Sequence, residues 1–275
     1  GLKYVMQIKH SAPKGIIIYY WPCSLILLAP SLLLDRPTSP LCATLRIACG
    51  KPYSIEVNGQ KLVTRASLVA PGAVRNQLIA FESDIALFYI PVEAAGMKQV
   101  KALLKNRDVV DFAIDRFEHL LPTIRRAASG ELLPAQARQL MDDVIEAMLG
   151  EPIQEKSPVD PRIERVLNAL ATLPLNEVEA DVLAREAHLS KSRLRYLFKK
   201  EVGFTVQQYA RWLAVWRGCL MWQRGRQFTE VAMDAGFHDL SHVDHAFNEV
   251  FGINPTNVID PNFVSLIHCA PDAAS

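Results

Sequence analysis

Apolar and polar positions follow two different rhythms along this chain. Up to about residue 92, short apolar runs alternate with turn-forming residues. The runs are Leu25–Leu28, Leu32–Leu34, Cys42–Ala48, Tyr53–Val57, Lys61–Thr64, Ser67–Ala70, Asn76–Phe81 and Ile85–Ile90. Gly50-Lys51-Pro52, Asn58-Gly59, Pro71-Gly72 and Glu82-Ser83-Asp84 punctuate them. This pattern predicts strands, and Asn58-Gly59 predicts a tight hairpin, because a type I′ turn needs positive φ at both central positions. Many short strands at close spacing predict a sandwich or small barrel. The most apolar window, Ile16 to Leu34, is long enough to be mistaken for a membrane span, and Lys3, Lys9 and Lys14 before it imitate a leader. Pro22, Ser24, Pro30 and Ser31 interrupt it and no A-x-A-like cleavage site follows, so it reads as buried β structure.

From about Val92 the rhythm becomes helical. Met97, Val100, Leu103 and Leu104 recur at that spacing, then Val109, Phe112, Phe117, Leu120, Leu121 and Ile124, then Leu140, Val144, Ile145, Met148 and Leu149. These stripes could pack on the strands or on a second subunit, and a helix-helix homodimer through 107–127 or 135–149 is the expectation. Gly150 to Pro161, with three prolines and alternating charge, reads as a linker. Beyond it, helices are predicted near 161–172, 178–186, 191–202, 205–223, 228–235, 239–250 and 255–260. Gly203, Gly225, Gly236 and Gly252 fall at the breaks, where a C-cap favours left-handed backbone. The expected fold class is α+β: an N-terminal β-barrel with flanking helices over 1–150, a linker over 151–160, and an all-α domain over 161–275.

The candidate chemistry lies in that last region. Val182 to Ser190 followed by Lys191 to Phe198 predicts a helix, a short turn and a second helix. Ser190 is its N-cap, and Leu194, Leu197 and Phe198 are its buried stripe. The second helix carries Lys191, Arg193, Arg195, Lys199 and Lys200, with no acid before Glu201. Ser192, Arg195 and Tyr196 then point outward where a recognition helix meets base edges, and Lys199 and Lys200 suit phosphates. Charge alone would fit a solvated helix face; the helix-turn spacing favours a reading helix. A second copy follows, with Asp239 standing 49 positions after Ser190. Leu240, Ser241, His242 and His245 are its DNA-facing candidates, opposed by Asp244 and Glu249. A connecting helix over 205–223 would span about 28 Å, setting two reading helices roughly one DNA turn apart.

These residues resemble the AraC/XylS family of regulators. The resemblance rests on Phe198-Lys199-Lys200-Glu201-Val202-Gly203-Phe204-Thr205 with Tyr209, then Val231 to Asp239, Ser241-His242, Phe247 and Phe251-Gly252-Ile253-Asn254-Pro255. Leu32–Arg36, Leu41–Val57 and Ser67–Pro91 are similar to that family's cupin-like sensor domain. The resemblance implies a cytoplasmic, homodimeric, DNA-binding transcription activator. Its partners would be double-stranded promoter DNA, RNA polymerase and a small-molecule effector. It departs from the family where basic residues are usual: Asp244, His245, Asn248 and Glu249 stand in the second reading helix, and Ala214 on the connecting helix. Residues 160–275 hold 12 Lys+Arg against 14 Asp+Glu, so DNA affinity should lean on the first unit. A regulator relative with a decayed second unit, acting through protein contacts, is the alternative.

Composition narrows the rest. A net charge of +1 over 275 residues points to no partner by itself. Five cysteines (Cys23, Cys42, Cys49, Cys219, Cys269) with no CxxC pair suit a reducing compartment. Cupin enzymes ligate metal with a histidine cluster, and only His10 and His119 precede the linker. No nucleophile motif, Walker loop or GxGxxG stands out, so no enzyme, metal, cofactor or membrane association is expected. Trp21, Arg36, Tyr53 and Arg75 are effector-pocket candidates for a small anion or aromatic acid. Surface arginines and core aromatics explain the same residues, and an apolar ligand fits the Leu- and Ile-rich strands equally.

Overall fold

The computed structural model describes residues 15–222, 233–238, 242, 245 and 264–269. They divide into two compact units. One ends at Lys156 and takes in the 264–269 segment; the other begins at Ser157.

The first unit is built on two sheets. Its strands are β1 (Ile16–Trp21), β2 (Ser24–Ala29), β3 (Leu32–Leu34), β4 (Cys42–Ala48), β5 (Tyr53–Val57), β6 (Gln60–Thr64), β7 (Ala66–Val69), β8 (Arg75–Ala80), β9 (Ile85–Pro91), β10 (Val109–Asp111) and β11 (Val264–His268). A seven-stranded sheet runs β10-β7-β4-β9-β2-β1-β11, and a four-stranded sheet runs β3-β8-β5-β6. The expected closed barrel is thus two sheets. Arg65, between β6 and β7, marks the corner where the chain changes sheet; its guanidinium donates to the carbonyls of Ala48 (3.2 Å) and Cys49 (3.0 Å). The hairpin at Asn58-Gly59 forms as expected, with φ of 46° and 81° and Val57 paired to Gln60.

Both faces of the larger sheet are covered, which explains why Cys42–Ala48 is buried at every position rather than alternating. One face of β4 presents Ala43, Leu45 and Ile47 to the helices, in one apolar core with Ile26, Leu28, Phe88 and Ile90. The other face, carrying Thr44 and Arg46, looks toward the four-stranded sheet. The covering helices are α1 (Met97–Leu104), α2 (Leu121–Ala128) and α3 (Pro134–Leu149). Ala137, Leu140, Met141, Val144, Ile145 and Met148 of α3 are all buried in that core. The stripe expected to form a dimer interface therefore packs on the chain's own sheet. The single helix expected over 107–127 is three pieces. The β-branched Val109 and Val110 extend as β10 along the edge of β7, Ile114–Leu120 is a 3₁₀ turn, and α2 starts with Pro122 in its first turn.

The linker begins pinned. Gln99 on α1 donates to Glu151 (2.8 Å) and to the Pro152 carbonyl (3.0 Å), and accepts from the Gln154 amide (2.9 Å). At the other end of the chain, β11 pairs in parallel with β1, Ile16 opposite Val264 through Tyr20 opposite His268. An all-helical segment from 161 to 275 was the expectation; residues 264–268 instead complete the first unit's sheet.

The second unit contains α4 (Pro161–Leu170), α5 (Ala180–Glu186), α6 (Lys191–Val202) and α7 (Val206–Trp222). No helix among the described residues is long and apolar enough to cross a membrane.

Candidate nucleic-acid interface

The helix-turn-helix pair forms where the apolar spacing places it. Leu183 and Ala184 of α5 and Ala187 after it are buried, as are Leu194, Leu197, Phe198 and Val202 of α6. Small Ala184 and Ala187 allow the two helices to cross closely. The turn between them contains His188 at φ 58°, and the Leu189 amide reaches back to the Ala184 carbonyl (2.8 Å). Ser190 then caps α6, its hydroxyl accepting from the Arg193 amide at 3.2 Å. Gly203 closes α6 at φ 92°. Thr205 and Gln208 cap the start of α7 reciprocally, at 2.9 and 3.1 Å.

Burying one stripe of α6 fixes what the opposite stripe shows to solvent. Ser192, Arg195, Tyr196 and Lys199 are all exposed and share one face by their i, i+3, i+4, i+7 spacing. Lys191, Arg193 and Lys200 flank that face and are also exposed. The Arg193 guanidinium lies 5.4 Å from the Tyr196 ring centre. Lys191 is 3.7 Å from Asp181 on α5, an exposed pair that water weakens. This helix-turn-helix thus brings together Ser190, Lys191, Ser192, Arg193, Arg195, Tyr196, Lys199 and Lys200.

Of the segment expected to hold a second copy, residues 233–238, 242 and 245 are described. Ala235 and Phe237 are buried, and Gly236 has φ 87°. A Cβ there would lie 2.6 Å from Asn176 Oδ1 and closer still to the Leu175 amide, so the position requires glycine. The Leu175 amide donates to the Ala235 carbonyl at 3.0 Å, fastening this segment to the turn after α4. His245 is exposed as expected. His242 departs from expectation: it is half-buried, with its ring edge-on to Phe237 at 5.0 Å and stacked on His238 at 5.7 Å. Leu240 and Ser241 lie outside the described residues.

The effector candidates fall in three places. Arg75 and Tyr53 are fully buried between the two sheets. Trp21 packs instead against the helix-covered core on the other face of the larger sheet, because β1 alternates and Trp21 shares its side with Tyr19. Arg36 is half-buried in the segment after β3. Arg46, which the sequence reading passed over, joins Arg75 and Tyr53. The signal for it was a lone charge inside the apolar run Cys42–Ala48. The Tyr53 hydroxyl crosses from β5 to the other sheet, bonding to Ser67 Oγ (2.6 Å) and donating to the Arg46 carbonyl (3.2 Å). Arg46 donates to Thr44 Oγ1 (2.9 Å), and Arg75 to the Leu34 carbonyl at a long 3.4 Å. Burial, and after it the positive charge of Arg46, pulls the Arg75 guanidinium well below its ordinary range. Burial lowers Arg46 as well, and pushes the Tyr53 and Tyr89 hydroxyls and the Cys42 thiol up.

Comparison with known proteins agrees with this architecture. Residues 183–260 match a family described as a helix-turn-helix domain. Among solved structures the chain is similar to ToxT from Vibrio cholerae. An apo ToxT variant gives a TM-score of 0.57 at 8% identity, over 85% of this chain and 96% of that one. ToxT of strain O395 gives 0.51 at 9% identity, over 88% and 94%. Wild-type ToxT bound to an unsaturated fatty acid gives 0.51 at 8% identity, over 91% and 96%. Likeness at such identity shows a shared fold. No curated protein matches the sequence. Residues 183–260 thus match a helix-turn-helix domain, the element that the buried stripe and exposed face of α6 build.

Proposed function

We propose that this protein is a DNA-binding transcription regulator of the AraC type, effector-responsive, which reads two successive major grooves of promoter DNA, one with α6 and one with the 239–250 segment. The observation that carries the reading is the exposed face of α6. Ser192, Arg195, Tyr196 and Lys199 are aligned on it, and a capped N-terminus and a buried stripe hold them in place. An Arg at that place suits bidentate contact with guanine, and the flanking lysines suit phosphates. The 183–260 match extends over the second copy, which supports a second reading helix. At 17 residues, α7 spans about 26 Å, a length compatible with grooves roughly 34 Å apart. The fold shared with a fatty-acid-binding ToxT supports response to a small molecule. In this reading the regulator is an activator and not an enzyme, acts as a homodimer in the cytoplasm and contacts RNA polymerase. Its dimer surface lies elsewhere than the buried stripe of α3.

Fluorescence anisotropy on one promoter fragment at two salt concentrations tests the DNA part. Arg195→Ala should cost about 1–3 kcal/mol and relax preference at one base position, while Lys199→Ala should weaken all sequences alike and reduce the salt slope by about 1. A silent Arg195→Ala would remove α6 as the reading helix.

A further inference from the structure

Two arginines face the interior of the sandwich, Arg46 from the larger sheet and Arg75 from the smaller, exposed by only 3% and 2%. Each guanidinium offers five donors. Arg46 uses one on Thr44 and Arg75 one on the Leu34 carbonyl, and the buried Nε of each has no hydrogen-bond partner. Neither makes an ion pair with a carboxylate among the described residues. Asp35, the carboxylate whose field reaches Arg75, is exposed. The other groups facing the pair are neutral: Tyr53 and Tyr89 hold their protons more tightly than usual, and so does Cys42. Two like charges, close enough for one to depress the other, thus sit in a low-dielectric interior without a counter-charge.

A chain that needed only packing here would do better with leucine or methionine, as its neighbours show. Leu27 and Leu87 pair across β2 and β9, and Leu34, Ile55 and Leu78 across β3, β8 and β5; all are buried and stand outside the helix-covered core. We propose that Arg46 and Arg75 form a buried anion site between the two sheets, which takes the oxyanion head of a small organic effector whose apolar body lies along these leucines. This rests on the effector-responsive reading above. The shared chemistry is an oxyanion with at least two acceptor oxygens, carboxylate or phosphate, because a planar guanidinium fork matches either. The 35–40 segment helps hold the site: Thr38 exchanges paired backbone hydrogen bonds with Arg75, at 3.0 and 2.8 Å.

Thermal unfolding of the full chain tests the site, titrating sodium benzoate or inorganic phosphate against chloride at constant ionic strength. The wild type should gain a saturable increase in Tm with at least one of the two oxyanions, and which gives the larger gain separates carboxylate from phosphate. Arg46→Met and Arg75→Met should lose that gain, and without added anion should melt no lower than the wild type. Arg75→Lys keeps the charge without the fork and should show a reduced gain. No gain in the wild type, or the same gain in both methionine variants, overturns the site. Promoter binding by anisotropy is measured on the same samples. Intact promoter binding with no anion effect defeats the anion site alone, whereas a wild type that binds no promoter fragment defeats the regulator reading.

Discussion

The chain uses arginine in two opposite environments. On α6, Arg193 and Arg195 stand in water above a buried stripe, beside Lys191, Lys199 and Lys200. Between the sheets, Arg46 and Arg75 are buried among leucines and a few neutral hydroxyl groups. In water a guanidinium keeps its hydration until a phosphate or base edge replaces it, so its presence costs the fold almost nothing. In the interior the hydration is already lost, and only a counter-ion or acceptors can offset it. The contrast separates two kinds of substitution: those that change what α6 touches and those that change what holds it.

The largest expected effect comes from removing the support rather than the charge. Phe198 is fully buried and meets Tyr209 of α7 edge-on at 6.0 Å. Phe198→Ala should destabilise the second unit by about 3–5 kcal/mol, and promoter binding should fall with it. Arg195→Ala should leave the melt within about 0.5 kcal/mol of the wild type while weakening DNA. Tryptophan fluorescence of a Trp21→Phe background reports this unit, since Trp212 and Trp216 are buried in it. An unchanged melt in Phe198→Ala would mean that α6 is not held by its apolar stripe.

A smaller effect sharpens the same division. Ser190 fixes the first turn of α6 through the Arg193 amide. Ser190→Ala should cost about 1 kcal/mol of stability and leave base preference as it was, because the hydroxyl acts on backbone. Faster hydrogen exchange at the Arg193 amide is the direct readout. A changed base preference with unaltered exchange would make Ser190 a DNA contact instead.

The two arginine environments were unequally legible in the sequence. On α6, period, cap and charge all repeat within 12 residues, so local reasoning reached the exposed face and the buried one together. The interior of the sandwich had no such local signature. Cys42–Ala48 reads as one apolar run because both faces of β4 are covered, so nothing separated Arg46's side from that of Leu45. Arg75 and Tyr53 were within reach as candidates, but Trp21 was grouped with them although it faces the opposite side of its sheet. Two features depended on contacts remote in sequence. The pairing of β11 with β1 joins residues about 248 positions apart, and no local pattern announces a parallel partner at that distance. The stripe of α3 is apolar whether it faces a second subunit or its own sheet, and only the packed core decides. The contact of His242 is illegible for a related reason: its polarity suggests solvent, while its ring lies against Phe237.

The smallest expected effect lies at the threshold of the second unit, where charge acts in the open. Asp160 caps α4 by accepting from the Arg162 amide at 2.9 Å, and Arg162 grips the same carboxylate through Nε at 3.1 Å and Nη2 at 2.9 Å. That fork, with the backbone bond second, holds the Asp160 carboxyl at about 2, below its ordinary 3.8. A carboxyl whose folded value is depressed contributes stability above its unfolded value and loses it as pH falls toward the folded one. The contribution should therefore be complete at pH 6 and disappear between about pH 4 and pH 2. Asp160→Asn keeps an acceptor oxygen for the cap but removes the titrating charge. Melts followed by tryptophan fluorescence should show the wild type slightly more stable than Asp160→Asn at pH 6, with the gap shrinking toward pH 2. Both side chains reach water, Arg162 at 42% and Asp160 at 20% exposure, so the gap should be the smallest of those described, and salt should narrow it further. A gap that stays constant from pH 6 to pH 2 would assign the difference to cap geometry rather than to charge. The contrast between exposed and buried arginines would then lose its mildest case while keeping its strongest.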